Sequence, residues 1–251
     1  MESIGEIMKR LEVPLNTQSH QSITIDLDNK CEWCNGAGFI HPLKETGMVD
    51  YSSVVPCRHC ITPEQIRHRL GVSSLDSTFN NFHEVAGSGD ALKAAKQMAT
   101  LTTDWKLLLI YGKWGSGKTH LLESIAIELW EQGRDATIYI FPEFIGRLKE
   151  TFDRSRDSKD DTFGDVMNGI CKKQFLLIDD VGAAGSFTNF ALAQLERIIL
   201  ARYRENAFTA FTTNVDYNEL PEFIVSRFSD TEKARIIYNR AGDYRPRKGV
   251  K

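Results

Sequence analysis

No stretch of the 251 residues comes near the roughly 18 consecutive apolar positions that a bilayer span requires. The opening segment, Met1 to Val13, mixes acids and bases at helical spacing and has no apolar run of the secretory kind, so an export signal is not expected. Charge of one sign is scarce as well: 31 basic against 34 acidic residues leave −3, so the chain is no polycation, and any hold on nucleic acid must run through local patches. Internal repeats and low-complexity tracts are missing, which sets solenoids and biased tails aside. Cysteine is sparse at five, yet four of the five fall into two Cys-x-x-Cys pairs. Without an export signal, that points to a reducing cytoplasm and a metal rather than to disulfides. What is present, 41% hydrophobic and 26% charged residues, suits a soluble globular chain with one large domain, or a small domain ahead of a medium one.

The apolar pattern divides the chain. Residues 3–12 carry Ile4, Ile7, Met8 and Leu11 at helical spacing, and residues 23–27 suit a short strand. Thr62, Pro63 and Gly71 mark the cap, first turn and stop of a helix. Residues 72–90, rich in Ser, Gly and Asn, suit a flexible junction, so the expected division is 1–75 and 76–251. Beyond it strands and helices alternate: "WKLLLIY", "ATIYIF", "FLLIDD", "FTAFTTN" and "ARIIYN" are the strands. This pattern predicts an α/β fold with a parallel five-stranded sheet covered by helices on both faces.

Gly112-Lys-Trp-Gly-Ser-Gly-Lys-Thr119 matches GxxxxGK[ST] in full, and it stands between a predicted strand and a predicted helix, the context that gives the motif meaning. Gly112, Gly115, Ser116 and Gly117 suit a backbone wrapped around phosphates, with successive N–H groups turned inward. Lys118 is placed to reach the β- and γ-phosphates, and Thr119 to put its hydroxyl on Mg²⁺. "FLLIDD" ends in Asp179, expected to face Mg²⁺, and Asp180, expected to polarise the attacking water. Asn214, at the tip of a later strand, suits a side chain that holds water near the γ-phosphate. Arg227, in "IVSRFSD", suits a guanidinium supplied to a neighbouring subunit's nucleotide.

Cys31 and Cys34 form one pair, Cys57 and Cys60 the other, at a separation common in Cys₄ zinc sites. Four thiolates close the coordination shell, so the predicted metal is structural. "CEWCNGAGF" also resembles the zinc turns of DnaJ-type chaperones, a local likeness. Glu32, Glu45 and Asp50 make this front region a poor grip for phosphate and favour a protein partner. Cys171 reads as a buried small apolar residue.

"STFNNF", "LLLIYGKWGSGKTHLLESIA", "FLLIDDVG", "FTTN", "VSRF" and "AGDYR" together resemble the AAA+ ATPases of the DnaC/DnaI helicase-loader type and their IstB-type relatives, from about residue 77 onward. The resemblance implies an AAA+ core that hydrolyses ATP with Mg²⁺, assembles as a homo-oligomer and holds single-stranded DNA. It adds His120 to the nucleotide-binding set. Loaders of the DnaI type resemble this layout, with a small zinc domain ahead of the ATPase, which implies a replicative hexameric helicase as partner and loading of that helicase at replication initiation. The alternative is an IstB-like ATPase serving a transposase. Arg147, Lys149, Arg154, Arg156 and Lys159, beside Phe144 and Phe152, are the candidate DNA element, phosphate contacts joined to stacking rings.

Overall fold

A computed structural model describes residues 31–44, 46–153, 162–183 and 187–244. The helix expected at 3–12 and the strand expected at 23–27 lie outside those residues, as do Arg154, Arg156 and Lys159.

A small hairpin comes first, β1 (Phe39–Ile40) paired antiparallel with β2 (Val55–Pro56). Helix α1 (Pro63–Leu70) follows. Thr62 and Gln65 close a capping box at its start, and Gly71 ends it in the left-handed conformation at φ 70°. A Cβ on Gly71 would stand 2.4 Å from the Ile138 carbonyl oxygen, so glycine answers both to the turn and to the close approach of the next layer.

The rest is a three-layer sandwich. Five parallel strands, β3 (Leu107–Tyr111), β4 (Ala136–Ile140), β5 (Phe175–Asp179), β6 (Thr209–Thr213) and β7 (Ala234–Tyr238), lie in the order β4-β5-β6-β3-β7. Helices α2 (Gly89–Ala99) and α3 (Lys118–Glu131) cover one face together with α1. Helices α4 (Phe141–Asp153), α5 (Phe163–Lys172), α6 (Asn189–Arg204) and α7 (Glu222–Phe228) cover the other. Strand alternation divides the core accordingly: Leu108 and Ile110 point into the first apolar layer, Leu107 and Leu109 into the second. Both faces of the central strands are dry, which is why they read as unbroken apolar runs.

The junction differs from the flexible linker expected. Leu70 is fully buried in the α2–α3 layer, and the backbone N–H of Ser73 donates to the Glu123 carboxylate. Ser124 donates to the Ser77 carbonyl, and His120 Nε2 lies 2.9 Å from the Thr78 carbonyl. Phe79 and Phe82 pack on the same layer. Polar composition alone suggested a linker, but residues 71–88 form a strap tied to α3 through Ser73, Ser77 and Thr78. The front hairpin is tied down as well, Leu43 N–H donating to the Gly133 carbonyl and Arg58 to that of Glu131, both at the far end of α3.

Candidate nucleotide and metal sites

Strand order creates the first site. β6 runs between the P-loop strand β3 and the acid-bearing strand β5, so the carboxyl ends of all three converge. Open α/β sheets bind ligands beyond those ends. Gly112 leaves β3 at φ 152°, where a Cβ would lie 2.3 Å from the Asn239 carbonyl oxygen. Gly115 is anchored through its carbonyl by the Tyr244 N–H, buried Ser116 through its carbonyl by Asn239 Nδ2 at 2.8 Å, and Gly117 caps α3. Asn239 is itself buried, accepts from the Ala241 N–H, and is fixed to β3 through Tyr111. It shapes the loop from behind. Motif reading missed it, and the only cue was an amide following the last apolar strand. Next to it, Arg240 closes one end of an open cleft of about 530 Å³ lined also by Glu84, Gly87 and Asp90.

Inside the loop, Lys118 Nζ donates to the carbonyls of Gly112 and Lys113, each at 2.9 Å, and to Asn214 Oδ1 at 2.7 Å. Asn214 Nδ2 passes the contact on to Asp180 Oδ1 at 2.7 Å. Thr119 Oγ1 donates to one Asp179 oxygen at 2.8 Å, and Thr212 Oγ1 to the other. Neighbouring strand residues normally face opposite ways. Here Asp180 turns into the left-handed region at φ 56°, a conformation asparagine and aspartate tolerate better than most. Its N–H is held by Thr212 Oγ1 at 3.1 Å, so both carboxylates serve one site. Burial is the chief influence on Asp179 and pushes its carboxyl above the usual range, against the two hydroxyl donors that lower it. A buried carboxylate beside a threonine hydroxyl is the oxygen donor pair that a hard dication takes.

Two expected members stand apart. His120 faces the strap, with Phe82 edge-on to its ring at 5.3 Å and Thr78 at its nitrogen. Arg227 ends α7, just before Asp230, whose carbonyl accepts from the N–H of Ala234 at the start of β7. That is the amino end of the sheet, opposite the P-loop. Phe144 is buried in the core, so it is not a stacking ring, while Arg147 and Lys149 are exposed.

The second site is the sulfur cluster. Sγ atoms of Cys31, Cys34, Cys57 and Cys60 all lie within 4.8 Å of one another, with Cys31 to Cys57 at 3.7 Å and Cys34 to Cys60 at 3.5 Å. A tetrahedron of thiolates about 2.3 Å from zinc has edges of about 3.8 Å, close to the two shortest separations here, so the four residues suit the metal. Gly38 N–H donates to Cys34 Sγ at 3.3 Å, and N–H groups of Cys34 and Trp33 bring the Cys31 thiol down to about 7. Cys171, half-buried in α5, is remote from them and packs against the α4–α7 layer.

Residues 74–194 match the bacterial DnaA ATPase domain. The replicative helicase loader DnaI of Bacillus subtilis (strain 168) is 30% identical over 139 residues, which make up 55% of this chain and 39% of that relative's length. The replicative helicase loader DnaC of Escherichia coli (strain K12) is 22% identical over 92% of this chain and 89% of its own. Among solved structures, AMPPCP-bound DnaA from Aquifex aeolicus shares the fold at a TM-score of 0.57 and 20% identity, over 68% of this chain and 52% of that one. Over residues 74–194 the chain is therefore similar to the bacterial DnaA ATPase domain, and it is similar in sequence to the DnaC and DnaI helicase loaders.

Proposed function

We propose that this chain loads a replicative hexameric helicase onto single-stranded DNA at the expense of ATP, with residues 1–75 as the docking region and residues 76–251 as the ATPase. The observation that carries the catalytic half is the chain of 2.7 Å hydrogen bonds from Lys118 through Asn214 to Asp180. Lys118 has its ammonium on loop carbonyls that a phosphate would displace, and every atom it moves is felt by Asn214. The amide then sets the direction of the Asp180 carboxylate, which accepts the proton of the attacking water. The open cleft beside Arg240, next in sequence to the P-loop contact Asn239, is the proposed place for the nucleoside. Thr119 and Asp179 would hold Mg²⁺, which when bound would supply charge neutralisation on the phosphates.

Arg227 reaches a different copy's nucleotide, because its own P-loop is at the other end of the sheet. That geometry supports a homo-oligomer. Arg147 and Lys149 supply phosphate contacts to single-stranded DNA without the ring stacking expected of Phe144. Zinc on the four cysteines holds the front hairpin, and the near end-to-end likeness to the DnaC loader supports the helicase as its partner.

The test is turnover. Lys118→Ala is expected to lose about 10- to 100-fold in ATP affinity, the range for a hydrogen bond to a charged group. Asp180→Asn is expected to bind ATP normally and hydrolyse it about 10²- to 10⁴-fold more slowly. Hydrolysis by Asp180→Asn at the native rate contradicts the assignment of the base.

A further inference from the structure

Arg227 has company at the end of α7. Its guanidinium carbon lies 5.4 Å from the centre of the Tyr203 ring, in the last turn of α6, and Lys233 Nζ lies 4.5 Å from the same ring. The ring is itself clamped: Tyr203 Oη donates to Asp230 Oδ2 at 2.6 Å. Asp230 is built into the start of β7, its other oxygen accepting the Glu232 N–H at 3.1 Å and its carbonyl the N–H groups of Lys233 and Ala234. The Lys233 carbonyl in turn accepts from Lys106 and Leu107 on β3. A continuous path of hydrogen bonds therefore fixes one aromatic face relative to the sheet. Arg227 Nη1 also approaches Ser226 Oγ, at a weak 3.5 Å.

We propose that Tyr203, clamped by Asp230, is a positioning residue that presents Arg227 to the nucleotide of a neighbouring copy. The inference rests on the reading of Arg227 as trans-acting. An arginine has many rotamers, and each that points away from the neighbour lowers the fraction of encounters that complete the site. A ring face attracts a guanidinium through its quadrupole and restricts it to a few of them. Lys233 shares the ring, and its like charge disfavours any posture of Arg227 that folds further inward. The Tyr203–Asp230 bond also depresses the Asp230 carboxyl and raises the Tyr203 phenol, so the clamp keeps its proton arrangement at neutral pH.

The experiment uses the full chain at concentrations where wild-type turnover per subunit has reached its plateau. Tyr203→Leu removes the shelf and is expected to lower kcat about 3- to 30-fold, the range for a cation on a ring from exposed to desolvated, with KM for ATP and equilibrium ATP binding unchanged. Tyr203→Phe keeps the ring and loses the clamp, so it should fall between Tyr203→Leu and wild type. Mixing Tyr203→Leu with Lys118→Ala is decisive. Lys118→Ala subunits bind little ATP but carry an intact Arg227, so turnover at the Tyr203→Leu sites should return. Wild-type kcat in Tyr203→Leu alongside a dead Arg227→Ala overturns the positioning role and leaves the trans-acting arginine standing. So does a loss that comes with weakened ATP binding and no recovery on mixing, which marks a folding defect. Full activity in Arg227→Ala overturns the trans-acting arginine itself.

Discussion

Among the described residues from Cys31 to Cys60 the buried side chains are Cys34, Pro42, Val55 and Cys57, while Trp33, Met48 and Tyr51 are 62%, 64% and 78% exposed. The sheet beyond residue 107 is the reverse, with β5 and β6 buried along their whole length between two apolar layers. So little buried surface in the front hairpin is a weak basis for an independent fold, and on the proposed reading zinc on the four converging thiols would supply the rest. The ATPase core needs no such help. A region held by metal can leave its aromatic side chains outside, where, on the proposed reading, a partner would meet them. The core has to bury its own and keeps polar groups for one crowded end. Trp33 illustrates the first case, stacked on His59 at 4.6 Å and with Arg58 at 5.3 Å, on the surface rather than under it.

The contrast can be broken in steps of decreasing size. Stripping zinc, or replacing Cys31 and Cys34 by Ser, is expected to abolish the fold of the hairpin altogether. Limited proteolysis should then cut between residues 31 and 60 while ATP still protects the core. Leu70→Ala, at the joint, should cost about 2–5 kcal/mol in denaturant unfolding, because the side chain is fully enclosed by the α2–α3 layer. In the core itself, Asn239→Ala leaves the Ser116 carbonyl without its buried donor. A loss of about 1–3 kcal/mol of stability is expected in denaturant unfolding, together with weaker ATP binding by titration calorimetry. The smallest effect belongs to His120→Ala, about 0.5–1.5 kcal/mol, since it removes one hydrogen bond that holds the strap. Hydrogen exchange at residues 72–82 should rise, with the P-loop amides little changed.

The sequence was most informative where a local pattern suffices. Strand–helix alternation, the Thr62 cap with Gly71 as stop, the P-loop and the cysteine spacing each draw on neighbours a few positions away, and the folded chain keeps them. It was least informative where distant segments meet. Residues 71–88 have the composition of a linker, yet Ser77, Thr78 and Phe82 find partners on α3 more than 30 residues later. Asn239 and Thr212 carry no motif, and their work depends on strand order. His120 adjoins the P-loop in sequence but points away from it, because helical geometry turns successive residues by about 100°.

On the proposed reading the molecule divides its labour, with docking at the front and ATP at the back. The most direct test is to measure, on the full chain, binding to the replicative helicase of the same host and binding to ATP, for the wild type and for the protein with both Cys31→Ser and Cys34→Ser. The double variant is expected to lose the helicase and keep ATP. Equal helicase binding by the two proteins, or loss of ATP along with the helicase, would contradict that reading.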